Sequence, residues 1–262
     1  MGGLRFISSY KCNVKDIKEN MNIIIIQARL NSSRLPKKIT YKLGNISAID
    51  HVIMRAERSV KFKKVVVAVP KDEKSIIAES ISNKNIDIFE GSEDDVLSRY
   101  YECAKYFSAK NICRITSDCP LIDWRIIDLC FEKYEELGQN LYVANTCPPP
   151  CTFPDGMDVE IFPMTMLEKA HNNETNRENR EHVTFQFWKD EDYKSYQINY
   201  LKDISELRLT LDYNEDLARL KNFIDKFSPN GEDISLEKII ENLHRSGLYK
   251  EFKQNHLRNS GW

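Results

Sequence analysis

Long apolar runs, an excess of one charge and paired cysteines are all missing from this chain, and each absence removes a class of protein. No apolar segment approaches the roughly 20 residues that span a bilayer, so membrane insertion is not expected. The first twenty residues carry Lys11, Lys15, Asp16, Lys18 and Glu19, which interrupt any apolar core of a secretory signal. The 38 basic and 40 acidic side chains leave a formal charge of -2. That balance lacks the basic stripe of a nucleic-acid or membrane-surface binder. Seven cysteines is an odd number, here at irregular spacings with no CxxC. They fit reduced thiols of a cytoplasmic protein, several of them small core residues. Cys147 and Cys151 flank three prolines and have no second ligand pair to make a zinc site. Nor is there a Ser/His/Asp or Cys/His nucleophile array.

What is present is enough to fold. With 262 residues, 41% of them hydrophobic, the chain can bury the core of one large α/β domain. Residues 1–20 show no periodicity and read as an N-terminal extension. Residues 21–228 read as the main domain, and 229–262 as a helical C-terminal extension carrying Ile234, Leu236, Ile239, Ile240 and Leu243. The four isoleucines Ile23–Ile26 are β-branched and bounded by polar residues, the pattern of a strand buried on both faces in a parallel sheet. Helix is expected from Ile46 to Val60, strand over 65–69, helix from Glu73 to Ser82 and strand from Ile86 to Phe89. Further on, strands are expected at 111–116, 141–145 and 155–162, and one ending at Asp212. Helices are expected at 124–137, 164–171 and from Asn214. Alternation at this pitch predicts a mostly parallel sheet wound by right-handed crossovers.

Directly after the isoleucines the chain turns polar: Gln27-Ala28-Arg29-Leu30-Asn31-Ser32-Ser33-Arg34-Leu35-Pro36-Lys37-Lys38. Positive charge and small donors just past the carboxyl end of a central strand suit a phosphate. A solvated basic loop is the plainer alternative. Two more stretches place acids at strand ends: Ser117-Asp118-Cys119-Pro120, where the proline stops the strand, and Leu211-Asp212-Tyr213-Asn214-Glu215-Asp216. Either aspartate alone reads as a turn or cap residue.

The spacing Ala-Arg-x-x-Ser-x-Arg-Leu-Pro-x-Lys, here Ala28 to Lys38, resembles the nucleotide loop of the CMP-sugar synthetases. The likeness is strongest to the spore-coat-polysaccharide and CMP-Kdo-synthetase branch of those cytidylyltransferases. Ser117 to Asp123 resembles that family's Gly-Asp-x-Pro signature, with Ser in place of Gly, and Asp212 to Leu217 its Asp-x-x-Glu-Asp-Leu. Family members usually have Gly where this chain has Lys37. The resemblance spans Met21 to Phe223.

The resemblance implies a Rossmann-like, mixed but mostly parallel sheet with helices on both faces. It implies an enzyme that joins CTP to an acidic, Kdo- or nonulosonate-like sugar, acting as a cytoplasmic homodimer. Arg29 and Lys38 would then be catalytic, with Ala28, Ser32, Ser33, Arg34, Ser92 and Arg99 completing nucleotide binding. Asp118 and Asp212 would be catalytic as the ligands of Mg²⁺. Asp155, Asp158, Glu181 and His182 would line the acceptor side, although His182 beside apolar residues also reads as structural and Asp123 as a helix cap. The rival reading is a metal-dependent glycosyltransferase using a finished nucleotide sugar, but Asp155 and Asp158 lie one residue too far apart for its Asp-x-Asp.

Overall fold

The isoleucine run forms an interior strand, third from one edge, of a seven-stranded sheet. The structure is a computed structural model that describes residues 21–254. The expected N-terminal extension, 1–20, and the end of the C-terminal one, 255–262, lie outside the described residues. In chain order the strands are β1 (Met21–Gln27), a small hairpin of β2 (Lys42–Leu43) and β3 (Ile46–Ser47), β4 (Lys64–Pro70) and β5 (Asp87–Gly91). Then come β6 (Ala109–Thr116), β7 (Tyr142–Ala144), β8 (Glu160–Pro163) and β9 (Ser195–Gln197). The sheet order is β5-β4-β1-β6-β8-β7-β9. β1 pairs in parallel with β4 and β6, and β8 runs against both β6 and β7. The expected mixed, mostly parallel sheet is what forms.

The period-two geometry of β1 sends its isoleucines to opposite faces. Ile24 and Ile26 pack into one hydrophobic cluster and Ile23 and Ile25 into the other, all four fully buried. Helices α1 (Ala48–Ala56), α4 (Trp124–Glu136), α8 (Asn214–Phe227) and α9 (Leu236–Ser246) cover the first face. The second is covered by α3 (Val96–Tyr106), α5 (Met164–Asn173) and α7 (Phe185–Lys189). Two short helices, α2 (Lys74–Ser80) and α6 (Arg177–His182), complete the set. Asp123 caps α4, its carboxylate accepting from the Arg125 backbone N–H at 3.0 Å. Ser47 caps α1, so the hairpin takes Ile46 and the helix starts two residues later than its periodicity suggests.

Two expected strands do not form as such. Over 155–162 only Glu160 onward enters the sheet. Asp155 to Asp158 makes a turn in which Gly156 has φ +97° and its N–H donates to Asp158 at 2.8 Å. A Cβ on Gly156 would lie 2.7 Å from the Leu209 carbonyl carbon, so this turn needs glycine. Residues 207–212 are likewise extended but make only isolated bridges, Arg208 with Asp155 and Leu207 with Lys253.

Candidate active site

Three chain segments meet at the carboxyl ends of β1 and β6, where open α/β sheets bind their ligands. They line a cavity of about 450 Å³. The loop after β1 brings Arg29, Ser32, Ser33, Arg34 and Lys38 to one side. The turn after β6 brings Asp118, placed by the Ser117 N–H donating to the Gln27 carbonyl at 3.0 Å. The 207–212 segment brings Asp212, tied to the β6 turn by the Leu211 N–H donating to the Asp118 carbonyl at 2.9 Å.

Asp118 and Asp212, distant in sequence, converge on one ammonium. Lys38 Nζ donates to Asp118 Oδ2 at 2.8 Å and to Asp212 Oδ1 at 2.7 Å. Burial alone would lower the Lys38 pKa, but the two carboxylates outweigh it and hold the ammonium above its ordinary value. Burial would raise Asp118, yet Lys38 prevails and keeps it well below the usual carboxylate range. Arg34 also donates to Asp212 Oδ1, at 3.1 Å, with its guanidinium over the Tyr213 ring. Asp212 does not cap the helix that follows it. Asp216 does that work, accepting from the Asp212 and Tyr213 N–H groups at 2.8 and 3.0 Å, and so leaves the Asp212 carboxylate turned to the cavity. Arg29 is exposed on the cavity wall and forms no ion pair among the described residues.

The cavity is also lined by Asp155, Asp158, Glu181 and His182. Asp155 is buried and accepts from Arg208 Nη1 at 2.5 Å. The His182 ring stacks on Phe185 with centroids 4.3 Å apart, and burial lowers its pKa. Beside it Val183 takes φ +61° and ψ -55° in a tight turn closed by the Thr184 N–H donating to the His182 carbonyl at 2.6 Å. A β-branched residue there is strained. The turn delivers the Thr184 hydroxyl to Glu160 Oε1 at 2.5 Å.

A family model described as Cytidylyltransferase matches residues 23–217. The chain belongs to the cytidylyltransferase family. A solved cytidylyltransferase from Leptospira borgpetersenii serovar Hardjo-bovis superposes with a TM-score of 0.80 at 30% identity, covering 92% of this chain and 100% of that one. The spore coat polysaccharide biosynthesis protein SpsF of Bacillus subtilis is 25% identical over 236 residues, 86% of this chain and 94% of its own. The 3-deoxy-manno-octulosonate cytidylyltransferase of Chlorobium limicola is 33% identical over 132 residues, 50% of this chain and 49% of its own.

Not every residue expected in the cytidylyltransferase site reaches the cavity. Ala28 is buried, its N–H donating to the Ala68 carbonyl at 3.1 Å to prolong the sheet. The Ser92 hydroxyl accepts from the Asp95 N–H at 3.1 Å, a turn contact. Arg99 is buried and donates to the Ser92 carbonyl, so it braces that turn. Ser92 and Arg99 are absent from the cavity lining. Three charged lining residues escaped the sequence reading: Arg114, Glu160 and Arg208. Arg114 and Glu160 face each other across β6 and β8 and form an ion pair, with Tyr142 donating to Glu160 Oε1 at 2.6 Å. Each is a charge flanked on both sides by apolar residues, which is a signal in itself because such a charge requires a buried partner.

Among the described residues no group of three or more His, Cys, Asp or Glu side chains is arranged to hold a metal unaided. No helix there is long and apolar enough to cross a membrane.

Proposed function

We propose that this cytidylyltransferase transfers CMP from CTP to a hydroxyl of an acidic 3-deoxy-2-keto sugar, with Mg²⁺, for the synthesis of a surface polysaccharide or glycan. The observation that carries the reading is the convergence of Asp118 and Asp212 on Lys38 Nζ, 2.8 and 2.7 Å away, beside Arg29 and Arg34. The donor set fits magnesium, which takes one or two carboxylates and completes its shell with phosphate oxygens and water. When bound, it neutralises phosphate charge and lowers the pKa of a coordinated hydroxyl.

The protein's own groups meet the remaining needs. Both substrates are anionic, so the barrier contains repulsion as well as charge growing on the leaving pyrophosphate. Arg29, Arg34 and Lys38 oppose that charge along the triphosphate. The acceptor oxygen forms its bond to the α-phosphorus as the bond to the β-phosphate oxygen breaks, and the acceptor proton passes to solvent. Arg114 lines the cavity beside its ion-pair partner Glu160 and adds to the polar wall. The name of the Chlorobium limicola relative points to the proposed class of sugar.

The deciding experiment mixes each of the four nucleoside triphosphates with several 3-deoxy-2-keto sugar acids and follows pyrophosphate. Release with CTP and a keto acid sugar is expected. Consumption of a preformed nucleotide sugar without pyrophosphate release would overturn the assignment in favour of a glycosyltransferase.

A further inference from the structure

The two carboxylates proposed to hold magnesium are both engaged by a side chain that carries its own positive charge. Lys38 is 9% exposed and spans Asp118 and Asp212. The second oxygen of Asp212 is also occupied, accepting from Arg208 Nη2 at 2.5 Å, while Arg34 shares the first. Two negative charges thus face three positive ones, counting an Arg208 that is divided among Asp155, Asp212 and Asp216. A divalent cation brought alone to this pair gains little, because it meets an ammonium already in hydrogen-bond contact with both carboxylates. The balance reverses when a triphosphate arrives. Its anionic oxygens give the ammonium a new partner and supply the ligands that two carboxylates lack.

We propose that Lys38 is a built-in competitor of the metal, so that the protein accepts a divalent cation at Asp118 and Asp212 only together with a nucleotide triphosphate. Lys38 then has two places, between the aspartates and against the phosphates, and nucleotide binding moves it from the first to the second. By linkage, the factor by which nucleotide tightens metal binding is also the factor by which metal tightens nucleotide binding. This rests on the reading of the site as a nucleotidyl-transfer centre, but its test needs no acceptor sugar.

The test measures binding of Mn²⁺ from the electron paramagnetic resonance signal of the free ion, for wild type and Lys38→Met, each with and without CTP. Without nucleotide, Lys38→Met is expected to bind Mn²⁺ at least about tenfold more tightly than wild type, since a unit charge in contact with both ligands has gone. Adding Asp118→Asn to that variant is expected to abolish the gain. Equal Mn²⁺ affinity of wild type and Lys38→Met would overturn the proposal. If Lys38→Met does not fold, wild type decides. Weak binding of Mn²⁺ alone with strong enhancement by CTP, beyond the affinity of Mn²⁺ for CTP in solution, supports the competition, and tight binding of Mn²⁺ alone refutes it. Failure of wild type to bind CTP would count against the functional reading instead, leaving the comparison of the two proteins in Mn²⁺ alone to decide this one.

Discussion

Arg208 Nη2 donates to Asp212 Oδ2 at 2.5 Å, and the same guanidinium reaches Asp155 Oδ2 at 2.5 Å through Nη1. One planar group therefore fixes an acid from the turn before β8 and an acid from the segment before α8. Lysine keeps the charge but cannot span two carboxylates with a rigid fork. Arg208→Lys is expected to lower the turnover of CTP by about 10²-fold through misplacement of Asp212. Arg208→Gln, which leaves the buried acids without their cation, is expected to cost about 3–5 kcal/mol of stability in urea unfolding. Wild-type turnover by Arg208→Lys would show that Asp212 needs no such support.

Lys37 adopts φ 56° and ψ 23°, left-handed backbone that glycine occupies without cost. Glycine is the residue expected at this position from the resemblance to the CMP-sugar synthetase loop. The side chain is exposed, so the substitution removes no buried contact. Lys37→Gly is expected to leave the fold intact and to raise stability by about 1 kcal/mol, the relief of left-handed strain outweighing the added freedom of the unfolded chain. Thermal unfolding of the two proteins under one buffer checks the sign. A fall in melting temperature would mean that Lys37 makes a contribution its backbone geometry conceals.

The elements legible in the sequence were those whose local pattern and final environment agree. Ile23–Ile26 forms a strand buried on both faces because it lies between two parallel neighbours. The loop that follows carries its charges where the sheet ends. The misreadings share a cause. Met157, Val159 and Ile161 alternate with Asp158 and Glu160, and Leu207, Leu209 and Leu211 alternate with Arg208 and Thr210, so both stretches have the period of a strand. Gly156 breaks the first, and the second is held by side chains and isolated bridges instead of a ladder. Periodicity reports which side chains are buried, not which backbone partners they find. The ion pairs were invisible for a related reason: nothing local says that Arg114 will face Glu160 or that Arg208 will meet Asp155.

His51 lies inside α1, fully buried, with Nε2–H donating to the Leu43 carbonyl at 2.8 Å. Burial, with Arg55 adding repulsion, pushes its pKa down to about 4. The unfolded chain takes up this proton near pH 6.5. Between those values the unfolded state binds a proton that the folded state refuses, so stability rises with pH across the window. It is complete above about 6.5 and is lost as pH falls toward 4. His51→Gln keeps a donor for the carbonyl but does not titrate. Wild type is expected to lose about 3 kcal/mol more than this variant between pH 6.5 and 4 in urea unfolding. Parallel pH profiles would place the acid sensitivity elsewhere.

Arg29 and Asp118 differ in what their loss should do, although both are proposed to serve the reaction. Arg29 is exposed and braces no other side chain by an ion pair among the described residues, so Arg29→Ala removes charge from the cavity wall and little else. Its unfolding free energy is expected to stay within about 0.5 kcal/mol of wild type. Asp118→Asn keeps the shape but leaves Lys38 with one carboxylate partner instead of two. Each substitution is expected to slow pyrophosphate release by about 10²-fold or more. For Arg29→Ala a part of the loss should appear as a higher KM for CTP, because the guanidinium meets phosphate before and during the reaction. For Asp118→Asn the loss should include a fall in kcat that added nucleotide does not restore, since the carboxylate is proposed to hold the cation that meets charge developing as the bond breaks. The linkage of metal to nucleotide should raise KM for CTP as well. Wild-type pyrophosphate release by either folded variant would remove that residue from the mechanism, and loss confined to KM in Asp118→Asn would reduce it to a binding group.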